Sequence, residues 1–123
     1  MKASTYLISY HPYENRDEHC SIGVLVFDEQ DRVQVFTGTN IRKIRSLNPS
    51  CELNSIRSGL KDFENLLNEN KSAWRALKHG FGPFNFSKKP GTFTYQNSDE
   101  FTKQVQFFLN FMVEPVKYKE PLI

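Results

Sequence analysis

The run Ile22-Gly23-Val24-Leu25-Val26-Phe27 lies at the centre of a segment from Glu18 to Phe27 and is apolar without a break. A strand with one face in water alternates apolar and polar residues, so a continuous run predicts burial on both faces and a central place in a sheet. Gly23, inside the run, leaves room for a close neighbour or a bulge. Downstream, Asp28-Glu29-Gln30-Asp31 is a tight polar turn, and Arg32-Val33-Gln34-Val35-Phe36-Thr37 alternates in part. The two runs therefore predict an antiparallel hairpin with a four-residue loop. Upstream, Thr5-Tyr6-Leu7-Ile8-Ser9-Tyr10 is rich in β-branched and aromatic residues and reads as a further strand. A polar connection, residues 11–17, joins it to the central one.

The middle of the chain changes period. Asn40 is a candidate cap for a short helix with Ile41, Ile44 and Leu47 three apart, stopped by Asn48-Pro49. Ser50 is a candidate cap for the next helix. There Leu53, Ile56, Leu60, Phe63 and Leu67 follow 3, 4, 3, 4 spacing, a single apolar stripe. Gly59 within it suggests a close helix contact. Ser72 opens a third helix, Ala73 to His79, closed by Gly80. Beyond it, Phe84/Phe86 and Phe93/Tyr95 flank Lys88-Lys89-Pro90-Gly91, which predicts either a second hairpin or one strand with an extended lead-in. Ser98, followed by Asp99 and Glu100, starts a final helix with Phe101, Val105, Phe108 and Met112 as its stripe. Phe107, Leu109 and Phe111 add apolar surface off that stripe. Strands in a block and helices in a block predict an α+β class. The expectation is a mainly antiparallel sheet of three to five strands (N-terminal β-β-β), packed with about four helices and ending in a long C-terminal helix. Residues 1–113 form one domain in this reading, and 114–123, with Pro115 and Pro121, form an extended tail.

Composition bounds the function. The 123 residues carry 16 Lys plus Arg against 14 Asp plus Glu, a net charge of +2, and 38% are hydrophobic. That is too apolar for a disordered chain and too weakly basic for a non-specific nucleic-acid binder. No run is long enough for a transmembrane helix, and the opening residues lack the apolar core of a secretory signal. Two cysteines make no disulfide scaffold. A cytoplasmic protein is the expectation.

No catalytic set stands out. His11, His19, His79, Cys20 and Cys51 have none of the spacings that hold a metal, and no cofactor is expected. Cys51 lies at a predicted helix start, but neither thiol has an evident base. The acidic groups Asp17/Glu18 and Asp28/Glu29/Asp31 sit at opposite ends of one strand, about 30 Å apart, and cannot share an ion. Phosphate-loop motifs are absent. Trp74 with Phe81, Phe84 and Phe86 suggests core filling ahead of a stacking patch. Arg42, Lys43 and Arg45, with Lys88 and Lys89, form basic clusters; Arg42 and Arg45 share a helix face. Arg16 and Glu18, two apart before the apolar run, form either a surface ion pair or the rim of a pocket.

The segment Arg16-Asp17-Glu18-His19-Cys20-Ser21-Ile22-Gly23-Val24, preceded by Tyr10-His11-Pro12, resembles the opening motif R-x-E-x-x-N-[IV]-G-V of a family of small bacterial and phage proteins known only as a domain of unknown function. Ser21 stands where that family has Asn. The stretch Gly82-Pro83-Phe84-Asn85-Phe86-Ser87 and the ending Phe108-Leu109-Asn110-Phe111-Met112-Val113 are similar too, so that the likeness covers most of residues 4–116. Members are sometimes encoded beside HipA-like kinases, which implies a partner and supplies no catalytic residues. The sequence thus points to a non-enzymatic protein-interaction module. Its alternatives are a small ligand-binding or enzymatic domain with Arg16 and Glu18 at a pocket rim, and a weak nucleic-acid binder through Arg42, Lys43, Arg45, Lys88 and Lys89.

Overall fold

The computed structural model describes residues 1–12, 19–38, 44, 48–50 and 52–113. Five strands form one antiparallel sheet: β1 (Lys2–Tyr10), β2 (Cys20–Phe27), β3 (Val33–Thr37), β4 (Phe84–Phe86) and β5 (Gly91–Thr94). The order is β3-β2-β1, with β4 and β5 both paired to the far side of β1. The helices are α1 (Leu53–Glu69), α2 (Trp74–Leu77, entered through a 3₁₀ turn at Lys71–Ala73) and α3 (Ser98–Phe108, continued as π-helix over Leu109–Val113). The α+β class and the antiparallel sheet hold. One detail is corrected. The described residues form three α-helices rather than about four; α1 has 17 residues, and the C-terminal α3 has 11 before its π-helical continuation. Of the short helix expected around Ile41–Leu47 only Ile44 is described; it is buried, and its carbonyl accepts from the Asn48 N–H at 2.9 Å. The tail at 114–123 lies outside the described residues.

Both faces of the sheet are covered, as the unbroken apolar run demands. Leu25 and Phe27 face α1 and α2; Val24 and Val26 face α3. Ile22 also faces α1, although strict alternation would turn it the other way. The β1–β2 register explains this: Ile8 pairs with Gly23 and Ser9 with Ser21, so Ile22 is the extra residue of a bulge. Gly23 is fixed by packing as well, because a Cβ there would stand 2.3 Å from the Phe36 carbonyl oxygen on β3. The hairpin loop after β2 closes with Asp31 N–H on the Asp28 carbonyl at 2.9 Å. Asp31 has φ 58°, the left-handed position that ends this kind of loop and that Asp tolerates. The Asp28 carboxylate accepts from the Gln30 and Arg32 N–H groups, each at 2.9 Å.

The third and fourth parts of the sheet differ from a hairpin. β4 pairs Phe86 with Ile8 and Phe84 with Tyr10; β5 pairs Phe93 with Ala3 and Gly91 with Thr5. Both run antiparallel to β1, so they are one edge strand broken at Ser87–Pro90. On one side of the break Phe84 and Phe86 point toward α1, and on the other Phe93 and Tyr95 point toward α3. Ser87 bridges the gap: its N–H donates to the Leu7 carbonyl and its Oγ accepts from the Leu7 N–H, both at 3.0 Å.

The opposite edge is closed by α1. Its stripe buries Ile56, Leu60, Phe63 and Leu67, each such side chain stabilising the fold by roughly 1.5–3 kcal/mol. Its polar flank reaches over β3. The Asn68 side chain accepts from the Val33 N–H at 2.8 Å and donates to the Val33 carbonyl at 2.9 Å, while Glu64 Oε2 accepts from the Val35 N–H at 2.7 Å. Outward-facing backbone groups of the edge strand thus have partners.

Helix starts differ from the expected caps by one or two residues. Glu52 rather than Ser50 precedes α1, and its side chain makes no cap bond. Asn97 rather than Ser98 caps α3, accepting from the Glu100 N–H at 2.9 Å while Glu100 accepts from the Gln96 N–H at 2.8 Å.

Candidate functional site

Arg16, Glu18, Arg42, Lys43, Arg45 and Cys51 lie outside the described residues, so neither the expected pocket rim nor the larger basic cluster is brought together here. Lys88 and Lys89 are described, and both are exposed in the break of the edge strand. His11 and His19, at the facing ends of β1 and β2, stack with ring centroids 4.8 Å apart and planes within 8°. Among the described residues no three His, Cys, Asp or Glu side chains gather as a metal would require.

Two surfaces stand out. The first follows from the broken edge. Tyr6 projects from β1 toward the α1 side just where β4 has ended and β5 has not begun. Trp74, at the start of α2, packs edge-on against it at 4.9 Å between ring centres. Trp74 is held from behind by Phe27 at 5.3 Å, Phe86 at 5.4 Å and Phe63 at 6.4 Å. Core filling and surface exposure therefore meet in one residue: Phe84 and Phe86 are buried, whereas Trp74 is half-buried and lines two clefts. One cleft, of about 420 Å³, is lined by Tyr6, Trp74, Lys78, His79, Ser87 and Lys88. Its neighbour across the Tyr6–Trp74 ridge, of about 310 Å³, is lined also by Ser4, Phe27, Asp31 and Lys71. Every buried polar side-chain atom among the described residues has a partner. The Tyr6 hydroxyl and the Trp74 indole N–H have none among those residues, so they open to the clefts.

A third hollow, about 370 Å³, lies between the hairpin loop and the start of α3. Three of its polar groups are already engaged: Asn97 caps the helix, Asp28 holds its own turn, and the Tyr95 hydroxyl accepts from the Glu29 N–H at 3.2 Å.

The second surface is on α3. The wider π-turn over Leu109–Val113 brings residues four apart under one another, so Val105, Leu109 and Val113 are buried together. Leu109 is thus core, although the helical stripe places it off to one side. Phe107 and Phe111 are turned out, 52% and 67% exposed, with ring centres 4.5 Å apart. Gln106 Nε2 donates to Asn110 Oδ1 at 2.8 Å beside them.

Tyr6, Trp74 and Lys78 were not legible as a group, because strand and helix meet only in the fold. The one local signal was a tryptophan followed by Lys78 at helical spacing. No helix among the described residues is long and apolar enough to cross a membrane. No curated protein and no solved structure matches the chain. Residues 6–85, from Tyr6 into β4, match the family described as "Protein of unknown function (DUF3037)", a match that spans the central run, α1 and Trp74 but stops before β5 and α3. With well over half of its length matched, the chain belongs to the DUF3037 family, and the resemblance seen in its opening motif is to a domain of unknown function.

Proposed function

We propose that the protein is a non-enzymatic protein-interaction module of bacterial or phage origin, acting in the cytoplasm. The observation that carries this reading is the Phe107–Phe111 pair. Two phenylalanines in contact with each other and turned out from the helix are apolar surface that folding leaves more than half exposed. Aromatic residues of this kind supply the anchors of protein interfaces, and polar neighbours such as Gln106 and Asn110 supply a rim. Strand addition at β3 is the weaker route, since Asn68 and Glu64 occupy its outward N–H groups. The partner that the family resemblance suggests is a HipA-like kinase encoded nearby.

The test is capture by the tagged protein from its native host, with wild type beside the double variant Phe107→Ser/Phe111→Ser. The expected result is a defined partner, a neighbouring kinase first among them, that binds wild type and is lost from the variant while circular dichroism stays unchanged. Equal capture by both proteins, or a strict monomer that captures nothing, overturns the reading.

A further inference from the structure

We infer that the cleft at the break in the edge strand binds a phosphorylated nucleoside unit, with the base against the Tyr6–Trp74 ridge and the phosphate between Lys78 and Lys88. The inference is independent of the protein-interaction reading and concerns the opposite face of the sheet.

Three observations carry it. First, the ridge is built. Trp74 is backed by Phe27, Phe63 and Phe86, so its ring is held in place with a face or edge turned to the cleft. A planar aromatic ligand gains most from such a fixed platform, because little side-chain freedom is lost on stacking. Second, the polar tips of the ridge are unspent. The Tyr6 hydroxyl and the Trp74 N–H, without partners among the described residues, are donors for the edge of a base or for a ribose. Third, the charges are sorted. The 420 Å³ cleft has Lys78 and Lys88 on its lining and no carboxylate. Neither ammonium makes a salt bridge or hydrogen bond among the described residues. Across the ridge the smaller cleft holds Asp31, and its Lys71 is occupied by the Gln30 carbonyl at 3.2 Å. An anion is therefore drawn to the Lys78/Lys88 side in preference to the other, where Asp31 offsets the charge of Lys71. Two ammonium groups also exclude the other usual occupant of an aromatic recess, a quaternary cation. The chain's near-neutral total charge is no objection, since one nucleotide requires local charge only.

The chain has a single tryptophan, so its emission reports on the Tyr6–Trp74 ridge, and the Lys78 and Lys88 variants below assign a response to this cleft. The full chain is titrated, at low and moderate salt, with a purine nucleoside monophosphate, the bare nucleoside, inorganic phosphate and a short single-stranded oligonucleotide. Saturable quenching by the monophosphate supports the inference and assigns a free nucleotide. Saturable quenching by the oligonucleotide alone supports it and assigns a strand. Lys78→Ala and Lys88→Ala should each weaken binding about fivefold, and added salt should weaken it further. Trp74→Phe, followed by calorimetry, keeps a ring in the core packing and should weaken binding by about threefold through loss of the indole N–H. Three results overturn the inference: no saturable change with either phosphorylated probe, a bare nucleoside binding as well as its phosphate, or inorganic phosphate alone reproducing the response. Unchanged affinity in the Lys78→Ala/Lys88→Ala double variant, with an unaltered circular dichroism spectrum, does so too.

Discussion

The two faces of the sheet are covered by helices of different quality. On one, α1 runs for 17 residues with a regular 3, 4, 3, 4 stripe, and every residue of that stripe from Ile56 to Leu67 is buried. On the other, α3 keeps α-geometry for 11 residues and buries only Val105 before it widens into a π-turn that also buries Leu109 and Val113. The first face is stapled further by side chains that reach the β3 backbone; the second ends in two phenylalanines that touch each other instead of the sheet. A helix that matches its sheet spends its apolar residues on the core. One that slips out of register leaves some of them for another molecule.

The sharpest way to break the contrast is Phe63→Ala. Phe63 is fully buried and stacks on Phe86 at 5.0 Å, and it also touches Trp74 and Phe81. The expected loss is about 3–5 kcal/mol, read as a lowered midpoint in urea unfolding. A loss below about 1 kcal/mol would mean that the α1 face is as loosely packed as the other.

A smaller effect probes the edge. Asn68→Ala removes the partner of both the Val33 N–H and the Val33 carbonyl and should cost about 1–2 kcal/mol. Asn68→Asp restores only the acceptor and should fall between, with faster amide exchange at Val33 in the alanine variant than in the aspartate one. The smallest effect belongs to the other face. Phe107→Ser/Phe111→Ser should change stability by no more than about 0.5 kcal/mol, because both rings are already more than half exposed. A large loss by the same unfolding measurement would assign the pair to the core.

What was readable in the sequence is what depends on neighbours in the chain. The run from Ile22 to Phe27 showed burial on both faces, and Gly23 showed a bulge or a close approach; the structure has both, with the bulge at Ile22 and the Phe36 carbonyl against Gly23. The α1 stripe was equally plain. The break in the edge strand was not, because Phe84/Phe86 and Phe93/Tyr95 look alike as alternating aromatics while the register to β1 sends them to opposite faces. Asn68 read only as the end of a helix, since nothing local says that its amide will complete a strand 35 residues away. Trp74 read as core filling ahead of a stacking patch, and its meeting with Tyr6 could not be seen for the same reason. Arg16, Glu18, Arg42 and Arg45 fall outside the described residues and are neither joined nor separated by the fold.

The pairing of β1 with β5 has a kinetic side. Lys2 waits for Thr94, so β1 finds this outer neighbour only after all the intervening strands and helices have been made. Until then Val24 and Val26 have no cover from α3, and the nascent chain presents a sticky half-sandwich. Refolding is expected to be slower than for a sheet closed by neighbouring segments, which stopped-flow fluorescence of Trp74 would read.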